Sequence, residues 1–383
     1  MKKIVITKLN GHDFAFIFND KNDVELIKCF TDSLIDNVYV GKITEINKGL
    51  NCAFVSIKKD QKVFVNLKDV TSFKHKCGDN VLVQIKTDPL KTKLATGTFD
   101  ITLCGQFSVL HAQKAEISVS RKLSSDVKDE LIRCIENAKI EGLDDYGLVV
   151  RTNSALLLES DINPLIDEVN ELIQKMDHIV NEGEFRTLYS VLYSAPSEAL
   201  NVLKDLPIDE EYSLVTDNQD VYNSIIDNKI KGFNNIKLYE DEYISLKNLY
   251  NLETYLNRAL DKKVYLDCGG YLIIEPTEAM TVIDVNSGKA DGKKKDSSEY
   301  LFKVNKQAAI ELCRQLIIRN ISGVIMVDFI NMSKKTDTEK LISILKDELS
   351  KDKIQASFVD MTQLGIAEIT RKKTDMSLQA AFK

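Results

Sequence analysis

Towards the C-terminal end of the sequence, the segment TVIDVNSG sets Asp284 and Asn286 two residues apart. In a β-strand that spacing turns both side chains to one face, and Gly288 stops the run. Further along, GVIMVDFINM stays apolar until Asp328, where a carboxylate interrupts a segment that reads as buried on both faces. An ionised carboxylate in such a place is costly without a partner. Asp284 and Asp328, at the ends of two core strands, therefore call for a cation, a basic side chain or water. A shared Mg2+ would satisfy both: hard cations prefer oxygen, and Mg2+ takes one or two carboxylates and keeps water and phosphate at its other positions. The plainer alternative is a pair of strand-end aspartates that cap turns.

Other residues suit contacts to a polyanion. Immediately after Asn286, the loop GKADGKKKDSSE carries Lys289, Lys293, Lys294 and Lys295, which would grip phosphates or simply be solvated. In NCAFVSI, the apolar set Ala53, Val55 and Ile57 shares one face and leaves Phe54 on the other; in KVFVNL, Val63 and Val65 face one side and Phe64 the other. Two outward aromatics among lysines make a platform on which bases stack, unless both rings pack beneath a neighbouring loop. YGLVVRTNS ends a strand with Arg151 and Thr152, a guanidinium and a hydroxyl suited either to fork a phosphate or to join an ordinary surface salt bridge.

These side chains need a scaffold of some size. A chain of 383 residues implies two to four packed units. With 44% hydrophobic and 28% charged residues, it is neither disordered nor fibrous. No run of about 20 apolar residues occurs and MKKIVITKLNGHD lacks a signal-peptide core, so no membrane span and a cytoplasmic location are expected. The seven cysteines are scattered without a C-x-x-C pair, which indicates neither a disulfide framework nor a zinc site. Net charge is -7, yet residues 37–93 hold eleven lysines against five acidic residues, a surplus of six that leaves the remainder thirteen negative. A basic module on an acidic body fits a polyanion-binding arm.

Pattern shifts supply the elements. VYVGKITEI, NCAFVSI, KVFVNL, NVLVQIK and DITLCG read as five short strands of a small barrel. Helical periodicity follows over 124–137 and 161–181, with Pro164 suited to a first turn and the strand YGLVV between the two helices. Residues 197–260 mix helix, the strand YSLVT, and a helix over SLKNLYNLETYLNRAL. Two apolar strands, YLIIEPTEAMTVIDV and GVIMVDF, are then joined across a long helix over 299–320.

Together these segments resemble the ribonuclease E/G family of bacterial endoribonucleases, from end to end of the chain. LDCGGYLIIEPTEAMTVIDVNSGK, FKVNKQAAIELCRQLIIRN, GVIMVDFINM and LGIAEITRKKTDMSL occur in the family's order, preceded by VYVGKITEINKGLNCAFVSI with VFVNLKDV and by YGLVVRT. The resemblance implies an α+β multidomain fold. A ribonuclease-H-like domain (1–35 and 200–260) carries an inserted S1-type OB barrel that binds RNA (36–105); a 5' sensor (106–199) and a DNase-I-like α/β catalytic domain (261–383) complete the chain. It also implies residue roles. Asp284 and Asp328 match the aspartates that hold Mg2+, with Mn2+ as an alternative, and Asn286 the asparagine that positions the scissile phosphate. Arg151 and Thr152 match the 5'-monophosphate contacts, Phe54 and Phe64 the RNA-facing aromatics, and Lys93 a lysine near the RNA channel; Lys289 belongs with the phosphate-gripping loop.

Departures from the family pattern set further expectations. Leu94 follows Lys93 where glycine is usual, Asn331 stands for the second aspartate of an IDFIDM-like motif, and RTNSALLLE lacks the sensor's glycine. The zinc-link cysteines would begin just past TRKKTDMSL, where the chain ends at QAAFK. The expectation is a short form without structural zinc, zinc-linked tetramer or the family's small domain; the oligomeric state stays open. The expected activity is Mg2+-dependent hydrolysis of single-stranded RNA, such as mRNA or rRNA precursors, to 5'-phosphate and 3'-hydroxyl ends. The competing readings are a non-catalytic RNA-binding factor acting on ribosomes or rRNA, and a DNA nuclease.

Overall fold

The computed structural model describes all residues of the chain except 32, 69–73, 90–92, 114, 184, 229, 289–297, 363, 375 and 383. The chain opens on β1 (Lys2–Leu9), β2 (His12–Phe18) and β3 (Val24–Phe30), followed by β4 (Val38–Asn47), β5 (Cys52–Lys58), β6 (Gln61–Asn66), β7 (Asn80–Thr87) and β8 (Ala95–Thr98). Next come β9 (Thr102–Cys104), β10 (Ser108–His111), β11 (Ile117–Val119), α1 (Ser125–Ala138), β12 (Gly147–Val150), α2 (Asn163–Gly183), β13 (Val191–Tyr193) and α3 (Glu198–Lys204). Then follow β14 (Tyr212–Thr216), α4 (Gln219–Asp227), β15 (Phe233–Leu238), α5 (Leu246–Leu249) and α6 (Leu252–Leu260). The chain closes with β16 (Lys263–Tyr265), β17 (Tyr271–Pro276), β18 (Thr281–Asn286), α7 (Ser298–Ile318), β19 (Gly323–Asp328), α8 (Lys335–Ser350), β20 (Ala356–Met361), β21 (Ile366–Arg371) and α9 (Leu378–Ala381). They form two compact units, residues 1–31 with 211–223 and 233–383, and residues 32–210 with 224–232.

In the second unit, β4, β5, β6, β8 and β7 hydrogen-bond in that order, and β7 pairs back onto β4, closing a five-stranded barrel. Closure removes the free edges that a flat sheet would leave. Alternate residues fill the interior: Ile43, Ala53, Val55, Val63, Val65, Val83 and Ile85 are all inaccessible to solvent. The barrel corrects one expectation. Its fifth strand is Ala95–Thr98, whereas Thr102–Cys104, inside the expected strand DITLCG, pairs with β10 in a separate sheet of order β11-β12-β10-β9. ATGT carries little hydrophobic signal because the barrel is narrow there: a Cβ on Gly97 would lie 2.7 Å from Val63 Cγ1 and 2.9 Å from the Gln84 carbonyl oxygen. The four-stranded sheet packs with α1 and α2 around Leu103, Leu110, Leu131, Leu148, Val150, Leu165 and Val169, and Pro164 lies in the first turn of α2 as expected.

The first unit holds two sheets. One has the order β15-β14-β1-β2-β3, with β14 parallel to both β1 and β15. The expected single helix over SLKNLYNLETYLNRAL is two, α5 and α6, parted where Asn251 adopts a left-handed φ of 54°. The other sheet has the order β16-β17-β18-β19-β21-β20. YLIIEPTEAMTVIDV is here a hairpin, β17 and β18, turned by PTEAM with the Thr277 N–H donating to the Met280 carbonyl at 2.8 Å. One face of this sheet packs Leu272, Ile274, Ile283, Val285, Ile325, Val327 and Ile369 against Val304, Ala308, Leu312 and Leu316 of α7 and Leu341 and Leu345 of α8. Among the described residues, the opposite face of β18 and β19 is open to solvent at Val282, Asp284, Val324 and Asp328. Among the described residues, no helix is long and apolar enough to cross a membrane.

Candidate active site

The open face of the six-stranded sheet answers the question that Asp284 and Asp328 pose. The sequence reads the strand of Asp328 as buried on both sides; among the described residues one face is packed, and both carboxylates are exposed. Strand alternation explains this, since Ile283 and Val285 take the core face and Asp284 and Asn286 the other. Strands β18 and β19 are parallel, and Asp284 and Asp328 are direct register partners at their carboxyl ends. Adjacent strands lie about 4.8 Å apart, so two like charges face each other on one surface. Such a pair destabilises a sheet; it is tolerated where a cation compensates it. The Asn286 Nδ2 donates to Asp284 Oδ2 at 2.6 Å, fixing one carboxylate oxygen.

Helix α7 anchors the loops that flank these carboxylates. Asn305, inaccessible to solvent within the apolar stripe of α7, donates through Nδ2 to the Ile330 carbonyl at 2.7 Å and accepts from the Ile330 N–H at 3.0 Å. It thereby clamps the chain two residues beyond Asp328. The Tyr300 hydroxyl donates to the Ser287 carbonyl at 3.0 Å, just past Asn286, and the Gln307 side-chain oxygen accepts from the Cys268 N–H at 2.9 Å. Sequence reasoning missed all three. The available signal was Asn305, a polar residue that helical spacing places on the stripe of Val304, Ala308 and Leu312.

A divalent cation can be tested against this donor set. Every candidate ligand is a hard oxygen, the carboxylates are adjacent and open to solvent, and Mg2+ accepts one or two carboxylates with water completing the shell. Among the described residues no group of three or more His, Cys, Asp or Glu side chains is arranged to hold a metal; Asp284 and Asp328 are the two carboxylates that the strand register pairs. The residues fit Mg2+ on that basis. Lys289 and Lys293 to Lys295 lie outside the described residues.

On the barrel, Phe54 and Phe64 are register partners across β5 and β6, half-buried, with ring centroids 5.8 Å apart and planes at 74°. One register step away, Lys42 and Lys62 both pair with Ser56, and both are exposed. The two rings therefore sit beside lysines on the outer surface, because Ala53, Val55, Val63 and Val65 take the interior. Lys93 is exposed just ahead of β8.

Arg151 and Thr152 follow β12. The Arg151 Nη1 donates to the Gly105 carbonyl at 2.7 Å and Nη2 pairs with the Asp205 carboxylate, while the Thr152 and Ser120 hydroxyls are 3.0 Å apart. Beside them, the backbone N–H groups of Gln106, Phe107 and Ser108 converge on the Glu168 carboxylate at 2.6, 2.9 and 2.8 Å. This turn would hold an anion, and α2 supplies one internally. Burial holds the Lys204 ammonium below its ordinary pKa, with Glu168 acting in the opposite sense.

Comparison with known proteins adds the relatives of this architecture. The model of the ribonuclease E/G family matches residues 102–374. A ribonuclease G of Haemophilus influenzae is 28% identical over 379 aligned residues, spanning 90% of this chain and 74% of that protein. A ribonuclease G of Escherichia coli K12 is 27% identical over 368 residues, with the same shares. A ribonuclease E of a Nostoc species is 28% identical over 401 aligned residues, covering 100% of this chain and 57% of that protein.

Proposed function

This chain belongs to the ribonuclease E/G family, and on that premise we propose that it is an endoribonuclease acting on single-stranded RNA in RNA processing or decay. The observation that carries the reading is the in-register pair Asp284 and Asp328 on the open face of a sheet whose other face is fully packed. A destabilising juxtaposition of like charges, clamped from behind by Asn305, is what a cation-dependent phosphodiester site requires.

Asp284 and Asp328 would hold Mg2+, which when bound supplies the positive charge that activates a water and offsets charge building on the phosphate. The side chains do the rest. Asn286 keeps Asp284 in one orientation through its 2.6 Å hydrogen bond and presents its amide beside the carboxylates, where it positions the scissile phosphate. Phe54 and Phe64 stack bases, and Lys42, Lys62 and Lys93 contact phosphates, so sequence preference is modest. Arg151 and Thr152 form the site for a 5'-monophosphate. The products are 5'-phosphate and 3'-hydroxyl ends. In this reading, the sheet of β1, β2, β3, β14 and β15 is the ribonuclease-H-like part, the barrel the S1-type module, the sheet with α1 and α2 the 5' sensor, and the six-stranded sheet with α7 and α8 the DNase-I-like catalytic part.

The test compares wild type with Asp284→Asn and Asp328→Asn on an end-labelled single-stranded RNA, in Mg2+ and in EDTA. Each variant should lose at least about a thousandfold in rate while melting no lower than wild type, since a like-charge pair has been relieved. Equal degradation by wild type and both variants would sink the assignment. RNA binding without cleavage by wild type would favour a non-catalytic factor, and equal cutting of the matching deoxy-oligonucleotide a DNA nuclease.

A further inference from the structure

The open face that carries the two aspartates also carries an aromatic pair that no motif singled out. Reading across the strands, Tyr265 of β16 pairs with Tyr271 of β17, which pairs with Asn286 of β18. The next row on the same face is Lys263, Ile273, Asp284 and Asp328. The two tyrosine rings are 6.4 Å apart with planes at 58°. The Lys263 Nζ lies 3.8 Å from the centre of the Tyr271 ring and 4.7 Å from that of Tyr265. Tyr265 is 74% exposed.

An edge strand needs a cross-strand aromatic pair only if the pair contributes packing, and a ring this exposed contributes little. Lysine, by contrast, is a common guard on a sheet edge, but here its ammonium lies over two π-faces, an arrangement that draws positive charge towards the rings. The surface thus combines one exposed ring, one half-buried ring and one cation, one to two strand spacings, roughly 5 to 10 Å, from Asn286. That is the chemistry of single-stranded nucleic-acid grooves, in which bases stack on aromatics and a cation follows the backbone.

Resting on the nuclease reading for what lies at the aspartates, we propose that Tyr271 and Tyr265, with Lys263, form a nucleobase subsite on the catalytic sheet. It takes the base of the nucleotide adjoining the phosphate at Asp284 and Asp328, and Lys263 contacts that nucleotide's phosphate. This subsite stands apart from the barrel aromatics Phe54 and Phe64. Stacking makes it tolerant of base identity, so it sets where the strand lies over the sheet more than which sequence is chosen.

The experiment uses the full chain and single-stranded oligoribonucleotides with 2-aminopurine scanned through successive positions. Fluorescence quenching is read in the Asp328→Asn background, and KM and kcat are read with otherwise wild-type protein. We expect quenching at a position next to the cleaved bond. Tyr271→Ala should abolish it and raise KM five- to twentyfold with kcat changed less than threefold. Tyr271→Phe should keep both near wild type, because the ring and not the hydroxyl stacks, and Tyr265→Ala and Lys263→Met should each raise KM by a smaller factor. If Tyr271→Ala and Tyr265→Ala only lower Tm and leave quenching and KM unchanged, the rings are an edge clasp and the subsite is refuted while the nuclease reading stands. If quenching follows the tyrosines but wild type cuts no RNA, the subsite stands and the nuclease reading fails.

Discussion

At Arg151 the guanidinium is already engaged: one nitrogen holds the Gly105 carbonyl and another the Asp205 carboxylate. In the proposed 5'-phosphate site, an arriving phosphate would have to displace an anion that the protein itself provides. Asp205 is 61% exposed, so its hold is that of a surface ion pair, worth about 0.2–1 kcal/mol. Replacing Asp205 with Asn removes the charge and keeps the shape. The expected result is a two- to fivefold rise, roughly, in the ratio of kcat/KM for 5'-monophosphate over 5'-hydroxyl RNA. A ratio that stays at the wild-type value, or a preference for the hydroxyl end, would show that Arg151 does not meet the 5' phosphate. The sequence supplied Arg151 and Thr152 as neighbours at a strand end. It held no sign of Asp205, because that contact joins positions far apart in the chain through a turn whose own anion, Glu168, comes from a third element.

Elements were legible wherever burial imposes a period, and illegible where geometry replaces side chains with backbone. The helices over 124–137 and 161–181 and the strand YGLVV lie close to where their apolar spacing puts them. The hairpin inside YLIIEPTEAMTVIDV is marked in the sequence by the polar break Glu275 to Glu278, a turn signal that a reading of the segment as one strand passes over, whereas the last barrel strand lacks a signal because Gly97 stands where a side chain would clash. Burial is one-sided as well: GVIMVDF reads as a strand buried on both faces, yet Val324 is 44% exposed, and Ile325, Val327 and Phe329 are the residues of the segment that enter the core. Gly288 shows what a glycine does for the site. It ends β18 at a φ of +70°, and a Cβ there would lie 2.0 Å from the Gly269 carbonyl oxygen. That oxygen is backbone and has little freedom to yield. Gly323, at a φ of +90° but with nothing within 4 Å of its added Cβ, carries the conformational strain alone. Gly323→Ala should therefore cost about 1 kcal/mol, and Gly288→Ala roughly 2–4 kcal/mol with a more than tenfold loss of cleavage, since the chain leaving Asn286 is pushed off its path. Urea midpoints and cleavage rates measured side by side check this; equal costs for the two substitutions would remove Gly288 from the account of the site.

For the molecule as a whole, a net charge of -7 conceals a module with six surplus positive charges in residues 37–93. An acidic body repels RNA everywhere except where cations gather, so the charge balance makes binding local and strongly dependent on salt. Single strands release counterions in proportion to the phosphates neutralised, with a log–log slope of about -0.7 for each. If Lys42, Lys62, Lys93 and two further cations each meet a phosphate, the slope should be about -3.5, roughly a hundredfold weakening between about 50 and 200 mM salt. Stacking and charge can then be separated in one titration. Lys62→Ala should make the slope shallower by about 0.7, whereas Phe54→Ala should lower affinity by roughly five- to fiftyfold at every salt concentration and leave the slope alone. Fluorescence anisotropy of a labelled RNA with the Asp328→Asn chain reads both quantities without cleavage. A slope near zero would mean that the lysines on the barrel are merely solvated, and a slope altered by Phe54→Ala would mean that the ring orders the lysines instead of stacking a base.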